Sequence, residues 1–81
     1  MPFPCRLLVE ADPCPQALLR VLGLVAQQML EPAKLTADRE GGCWRLEIAF
    51  DDLPEPKAEL LLAKTEAIVA VHRARLVVPT P

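Results

Sequence analysis

The sequence predicts an α+β fold in which one antiparallel four-stranded sheet carries two helices on one face. Four segments alternate apolar and polar residues, two others carry apolar residues at helical spacing, and the order along the chain is strand, helix, strand, strand, helix, strand. With 81 residues and no linker or low-complexity stretch, residues 1–81 read as a single domain with a thin core.

The first strand runs from Cys5 to Ala11, where Cys5, Leu7, Val9 and Ala11 alternate with Arg6, Leu8 and Glu10. "DPCPQALLRVLG", residues 12 to 23, then turns the chain into a helix. Pro15 suits the first helical turn because its missing N–H has no partner there, and Cys14, preceding a proline, is biased toward extended angles and takes the cap position. Helical spacing carries the segment from Pro15 to Leu30, with Leu18, Val21, Leu22, Val25 and Met29 inside and Gln16, Arg20, Gly23 and Gln27 outside. Pro32 disfavours helix at Glu31.

Weak alternation from Ala33 to Asp38 predicts a short edge strand, and the glycines of "REGG" (39–42) supply the turn of a hairpin. In the returning strand Trp44, Leu46, Ile48 and Phe50 face inward. "DDLPEP" (51–56) is expected to interrupt it, and Pro56 to open a second helix whose inner side is Ala58, Leu61, Leu62 and Thr65. The last strand spans Val69 to Val78. The whole order is the split βαβ, or ferredoxin-like βαββαβ, arrangement.

That arrangement leaves Arg6, Glu10, Lys34, Asp38, Arg45, Glu47, Arg73 and Arg75 on the sheet face away from the helices. Opposite charges on neighbouring strands are expected to pair there, so the pattern needs no partner to explain it.

Composition excludes more functions than it suggests. The chain is 52% hydrophobic but 4% aromatic with no Tyr, an aliphatic surplus for so small a domain that points to an interface. A net charge of −2, with nine basic and eleven acidic residues interleaved, offers no footprint for nucleic acid or anionic lipid. The outward positions Arg45, Glu47 and Ala49 lack the rings of an RNA-reading sheet, and Trp44 and Phe50 are core residues. "MPFPCRLLVE" has neither the basic start nor the apolar stretch of a targeting segment, and no run approaches a membrane span. Three cysteines without paired spacing suit a reducing compartment, so the cytoplasm is expected.

No catalytic constellation can be named, and the chain is read as a non-enzyme without cofactor or metal. His72, on the same side as Ala70, Ala74 and Leu76, is expected to be partly buried and hydrogen-bonded, with no nucleophile or orienting group to make it a base. Cys14 at a helix N-terminus feels the positive end of the helix dipole, which favours a thiolate, but it has no CxxC partner and reads as a small loop residue; a thiol sensor is the remote alternative.

An acidic residue, a proline loop and "PQALLRVLGLVAQQM" resemble the opening of ACT domains, regulatory modules that often bind amino acids. Pro15, Leu18 and Arg20 match that family's motif, while Gln16 stands where glycine is usual. "LAKTEAIVAVHRARLV" is similar to its closing pattern at Leu62, Lys64, Ile68 and Val71. In length and in both end patterns the chain most resembles the short small subunits of acetolactate synthase, an enzyme of branched-chain amino-acid biosynthesis.

The resemblance implies a regulatory domain that pairs as a homodimer, associates with a catalytic enzyme subunit and holds a small amino-acid effector between the loop after strand one and a neighbouring protomer. It places Pro15, Gln16, Ala17 and Leu18 at that effector, with Arg20 positioning the loop. Glycine at Gln16 would let a ligand approach the backbone closely, and glutamine narrows the approach. The turn "LEPAKL" also lacks the family's usual glycine. A ligandless dimerisation or docking module of the same fold is the competing expectation.

Overall fold

The computed structural model describes residues 2–78, which form β1 (Pro2–Ala11), α1 (Pro15–Gln27), β2 (Lys34–Glu40), β3 (Cys43–Pro54), α2 (Glu55–Glu66) and β4 (Val71–Val77). All strand pairs are antiparallel and the spatial order is β2-β3-β1-β4. This is the ferredoxin-like βαββαβ fold expected from the alternation pattern.

The two central strands supply most of the core. Cys5, Leu7, Val9 and Ala11 of β1 and Leu46, Ile48 and Phe50 of β3 are buried on the helix side, as their period-two spacing requires. Burial of Cys5 pushes its thiol pKa up, because a thiolate there would lose its hydration. From α2, Ala58, Leu61 and Thr65 close over the sheet as expected, with Leu62 half-buried beside them. The Thr65 hydroxyl is satisfied inside its own helix, donating to the Leu61 carbonyl at 2.7 Å.

In α1 the inner line differs from the expected stripe. Ala17, Val21 and Val25 are buried, Leu18 and Leu22 are half-buried, and Leu19 is 65% exposed. Residues four apart on one face pass nearest the sheet when they are small or β-branched, and the longer leucines then flank the contact line. Met29 is not inside at all. The helix stops at Gln27, and Met29 adopts φ 56°, the left-handed position of a Schellman cap. Its N–H donates to the Ala26 carbonyl at 3.0 Å, and the Leu30 N–H donates to Val25 at 3.1 Å. The cap turns Leu30 back onto the core and leaves Met29 88% exposed.

Gly41 and Gly42 both hold positive φ, 58° and 78°, and form the two-residue loop between the paired residues Glu40 and Cys43. β2 lies at the sheet edge with every residue exposed.

Two register shifts overturn other expectations. "DDLPEP" does not end β3, since pairing passes from Cys5↔Phe50 to Phe3↔Leu53 and the strand continues to Pro54. The step holds one residue of β1, Pro4, against Asp51 and Asp52 of β3. That extra residue changes the parity, so both acids stay exposed and Leu53 returns to the core. In β4 the pairing steps from Glu10↔Arg73 to Ala11↔Val71, and His72 is the unpaired extra residue. The strand begins at Val71, after a turn that leaves Val69 at its exposed tip, and not at Val69.

On the open face, Arg6 pairs with Glu47 at 3.2 Å and Arg73 reaches Glu10 at 4.0 Å. The expected charge pairing is therefore only partly realised: among the described residues, Asp38, Arg45 and Arg75 make no ion pair within 4.0 Å.

Candidate functional site

The loop from Asp12 to Cys14 joins the end of β1 to the start of α1, and besides the bond from the Ala17 N–H to the Cys14 carbonyl four hydrogen bonds hold its backbone or carboxylate. The Asp12 N–H donates to the Ala70 carbonyl at 2.8 Å, and the Cys14 N–H donates to the Asp12 carbonyl at 2.8 Å. The Trp44 indole N–H donates to the Cys14 carbonyl at 3.1 Å, and His72 Nε2 lies 2.5 Å from Asp12 Oδ1. Three of these partners lie 30 or more residues away in sequence. The loop is thus tied to the strands on both sides of β1.

Each tie has a local cause. Ala11 is opposite Trp44 in the β1–β3 register, so the chain leaving β1 passes the indole at once. Trp44 is half-buried and carries the Arg39 guanidinium 5.9 Å from its ring centroid. His72 reaches Asp12 because the bulge lifts it out of alternation. With Val71 opposite Ala11, the histidine is released to the rim, where its side chain is 50% exposed. The expected partly buried His72 is therefore an exposed one, paired with an equally exposed Asp12.

Cys14 holds φ −125° and ψ 149° at the helix cap, with no side-chain cap bond. The extended angles follow from the proline after it. Its carbonyl accepts from both Trp44 and the Ala17 N–H, the latter at 3.2 Å, and its thiol side packs half-buried against the core.

Of the residues assigned from sequence, Pro15 and Gln16 form the exposed rim of the helix start, and Arg20 is exposed one turn further on. Leu18 is half-buried, and the Ala17 side chain is fully buried. Pro15 has no N–H and the Ala17 N–H serves Cys14, so Gln16 offers the helix-start amide nearest the loop. Asp12, Trp44 and His72 were not singled out from sequence as parts of this site. The signal for Trp44 is its place opposite the end of β1; the bulge that brings in His72 leaves no local mark in the chain.

Two depressions lie elsewhere. One, about 290 Å³, sits on the open sheet face around Leu8, Glu10, Arg45 and Arg73. The other, wide and shallow, lies beyond the C-terminal end of α1, beside Asp51, Asp52 and Lys57. Among the described residues no three His, Cys, Asp or Glu side chains are grouped to hold a metal ion, and no helix is long and apolar enough to cross a membrane.

No curated protein matches this chain. It is similar to the ACT domain of a GTP pyrophosphokinase from Chlorobium tepidum, at 9% identity and TM-score 0.82 over 95% of this chain and 100% of that one. An uncharacterised protein from Thermotoga maritima superposes with TM-score 0.83 at 12% identity, covering 99% and 100% of the two chains. A homoserine dehydrogenase from Thiobacillus denitrificans matches over 96% of this chain and 17% of its own, at 15% identity and TM-score 0.79. At such identities these likenesses concern the fold. The family model of the ACT-like domain matches residues 4–79, nearly the whole length, and the chain belongs to that family.

Proposed function

We propose that this ACT-like domain is a non-catalytic regulatory module that pairs as a homodimer, associates with an enzyme of amino-acid metabolism and binds a small amino acid at the loop before α1. The observation that carries the reading is the loop itself. Asp12 and Cys14 are held by β4 and β3 while Pro15 and Gln16 stand exposed at a helix start, where the partial positive charge favours a carboxylate. The narrower assignment, to branched-chain amino-acid biosynthesis as an acetolactate synthase small subunit, rests on the end patterns around Pro15–Arg20 and Leu62–Val71.

Regulation would be a linkage effect. An effector that binds one pairing geometry more tightly shifts the population toward it, and the attached enzyme reads the shift.

The test is thermal unfolding against each of the twenty amino acids, with the solution mass measured alongside. Ligand at 100 times its Kd stabilises the native state by about 2.7 kcal/mol, a readily measured rise in midpoint. A rise with valine, leucine or isoleucine that disappears in Gln16→Trp supports the reading. No rise with any amino acid refutes it and favours the second reading, a ligandless docking or dimerisation module, for which glutamine at position 16 is the specific argument.

A further inference from the structure

We propose that the open sheet face is a self-complementary surface on which a second copy of this chain packs. The inference rests on the homodimer reading above and names the face that forms it. Its basis is a single row of side chains that crosses all four strands.

Asp38 of β2 lies opposite Arg45 of β3, Arg45 opposite Glu10 of β1, and Glu10 opposite Arg73 of β4. Read across the sheet the signs run minus, plus, minus, plus. Read from the other edge they run plus, minus, plus, minus. The row is the electrostatic complement of its own reverse.

A two-fold axis lying between the stacked sheets and parallel to the strands performs that reversal. It passes between β3 and β1, the two middle strands, and places each protomer's β4 across from its partner's β2. Arg73 then meets a second Asp38, and Arg45 meets a second Glu10, each contact occurring twice by symmetry. Face-packed sheets stand about 10 Å apart, a gap that an arginine and a carboxylate side chain span together.

Within one chain this row is only partly satisfied: Glu10 and Arg73 lie 4.0 Å apart. Asp38 and Arg45 are directly opposite in register, yet neither makes an ion pair within 4.0 Å among the described residues. Leu8 stands half-buried and apolar in the depression of about 290 Å³ on this otherwise charged face. It belongs to β1, whose offset sideways from the axis is half a strand spacing, about 2.4 Å. Leu8 is opposite Glu47 in the β1–β3 register, so beside the axis each Leu8 lies across from the second copy's Glu47, with the charged row next to them. Such a small polar interface gives a weak, salt-sensitive dimer whose orientation is set by charge.

The experiment exploits the reversal. Asp38→Arg changes the row to plus, plus, minus, plus and sets like charges against each other at both ends; Arg73→Glu does the same with minus charges. Mixed together, the two variants are complementary at all four positions. Sedimentation of the wild type, each variant and the equimolar mixture at low salt is expected to show a wild-type dimer, dissociation constants raised at least about tenfold in each variant alone, and recovery of dimer in the mixture.

Both substituted positions are exposed, and thermal unfolding of each variant confirms its fold. Leu8→Glu, which sets a carboxylate against the second copy's Glu47 on both sides of the axis, is a second disrupting variant expected to dissociate the dimer. Recovery in the mixture cannot come from restored folding, because each protein keeps its substitution. A monomeric wild type refutes both this face and the homodimer. A dimer weakened by Asp38→Arg and unaffected by Arg73→Glu points to pairing through the β2 edge and refutes the face alone. A mixture no more dimeric than its components does the same.

Discussion

Replacing Met29 by glycine should make the domain more stable, although it removes a large side chain. Met29 holds φ 56° at the end of α1. There an L-residue crowds its Cβ against the following carbonyl, at a cost of about 1–2 kcal/mol that glycine does not incur. Against this, glycine gains more freedom in the unfolded chain, an offset of about 0.5–1 kcal/mol. The side chain is 88% exposed, so its removal forfeits little burial. The hydrogen bonds of the cap, from Met29 to Ala26 and from Leu30 to Val25, use backbone atoms and survive the change. The net expectation is a gain centred on about 0.75 kcal/mol, which for a domain of this size raises Tm by about 3–6 °C. Urea unfolding measures it directly, with Met29→Ala as the control. Alanine removes the side chain but keeps the Cβ, so its stability should stay within about 0.5 kcal/mol of the parent. Equal stabilisation by alanine and glycine, or destabilisation by glycine, would show that backbone strain at the cap is not the cause.

Three other outcomes follow from the packing and the loop. Leu61→Ala removes a fully buried side chain at the α2–sheet contact and should cost about 2–5 kcal/mol in denaturant unfolding, a large part of the roughly 4–12 kcal/mol expected for a chain of this length. Trp44→Phe keeps most of the ring and deletes the bond to Cys14, so it should cost about 1 kcal/mol and raise hydrogen exchange at Ala17; unchanged exchange there would mean that the indole does not hold the loop. Because burial raises the Cys5 pKa above its ordinary value near 9.0, the unfolded chain loses that proton first as pH increases. Stability should therefore be insensitive to Cys5 below pH 9 and fall above it, and in Cys5→Ala this alkaline fall should be shallower than in the parent.

The helix start shows how the two kinds of information divide. The order of elements, the faces of β1 and the first part of β3, the Gly41–Gly42 turn and the extended Cys14 before Pro15 were all legible in the sequence. Each depends on spacing or on backbone restrictions that act within a few residues. The exposed Gln16 rim was legible for the same reason. What was not legible depends on registers between distant segments. One extra residue at Asp51–Asp52 carried Leu53 back into the core and extended a strand that the prolines and acids argued against. One extra residue at His72 turned an expected inward histidine into the rim partner of Asp12.

Alternation has no memory beyond its own strand, so a bulge reverses inside and outside for every residue after it while local composition stays the same. The inner line of α1 carries a similar lesson. Its apolar residues cover too much of the circumference for periodicity to choose, and close approach to the sheet selected Ala17, Val21 and Val25. By itself, then, the sequence determined the family, the element order and the exposed rim of the loop. Only the tertiary structure decided which strands hold that loop and how four charges from four strands fall into one row, because both require residues far apart in the chain to share a register.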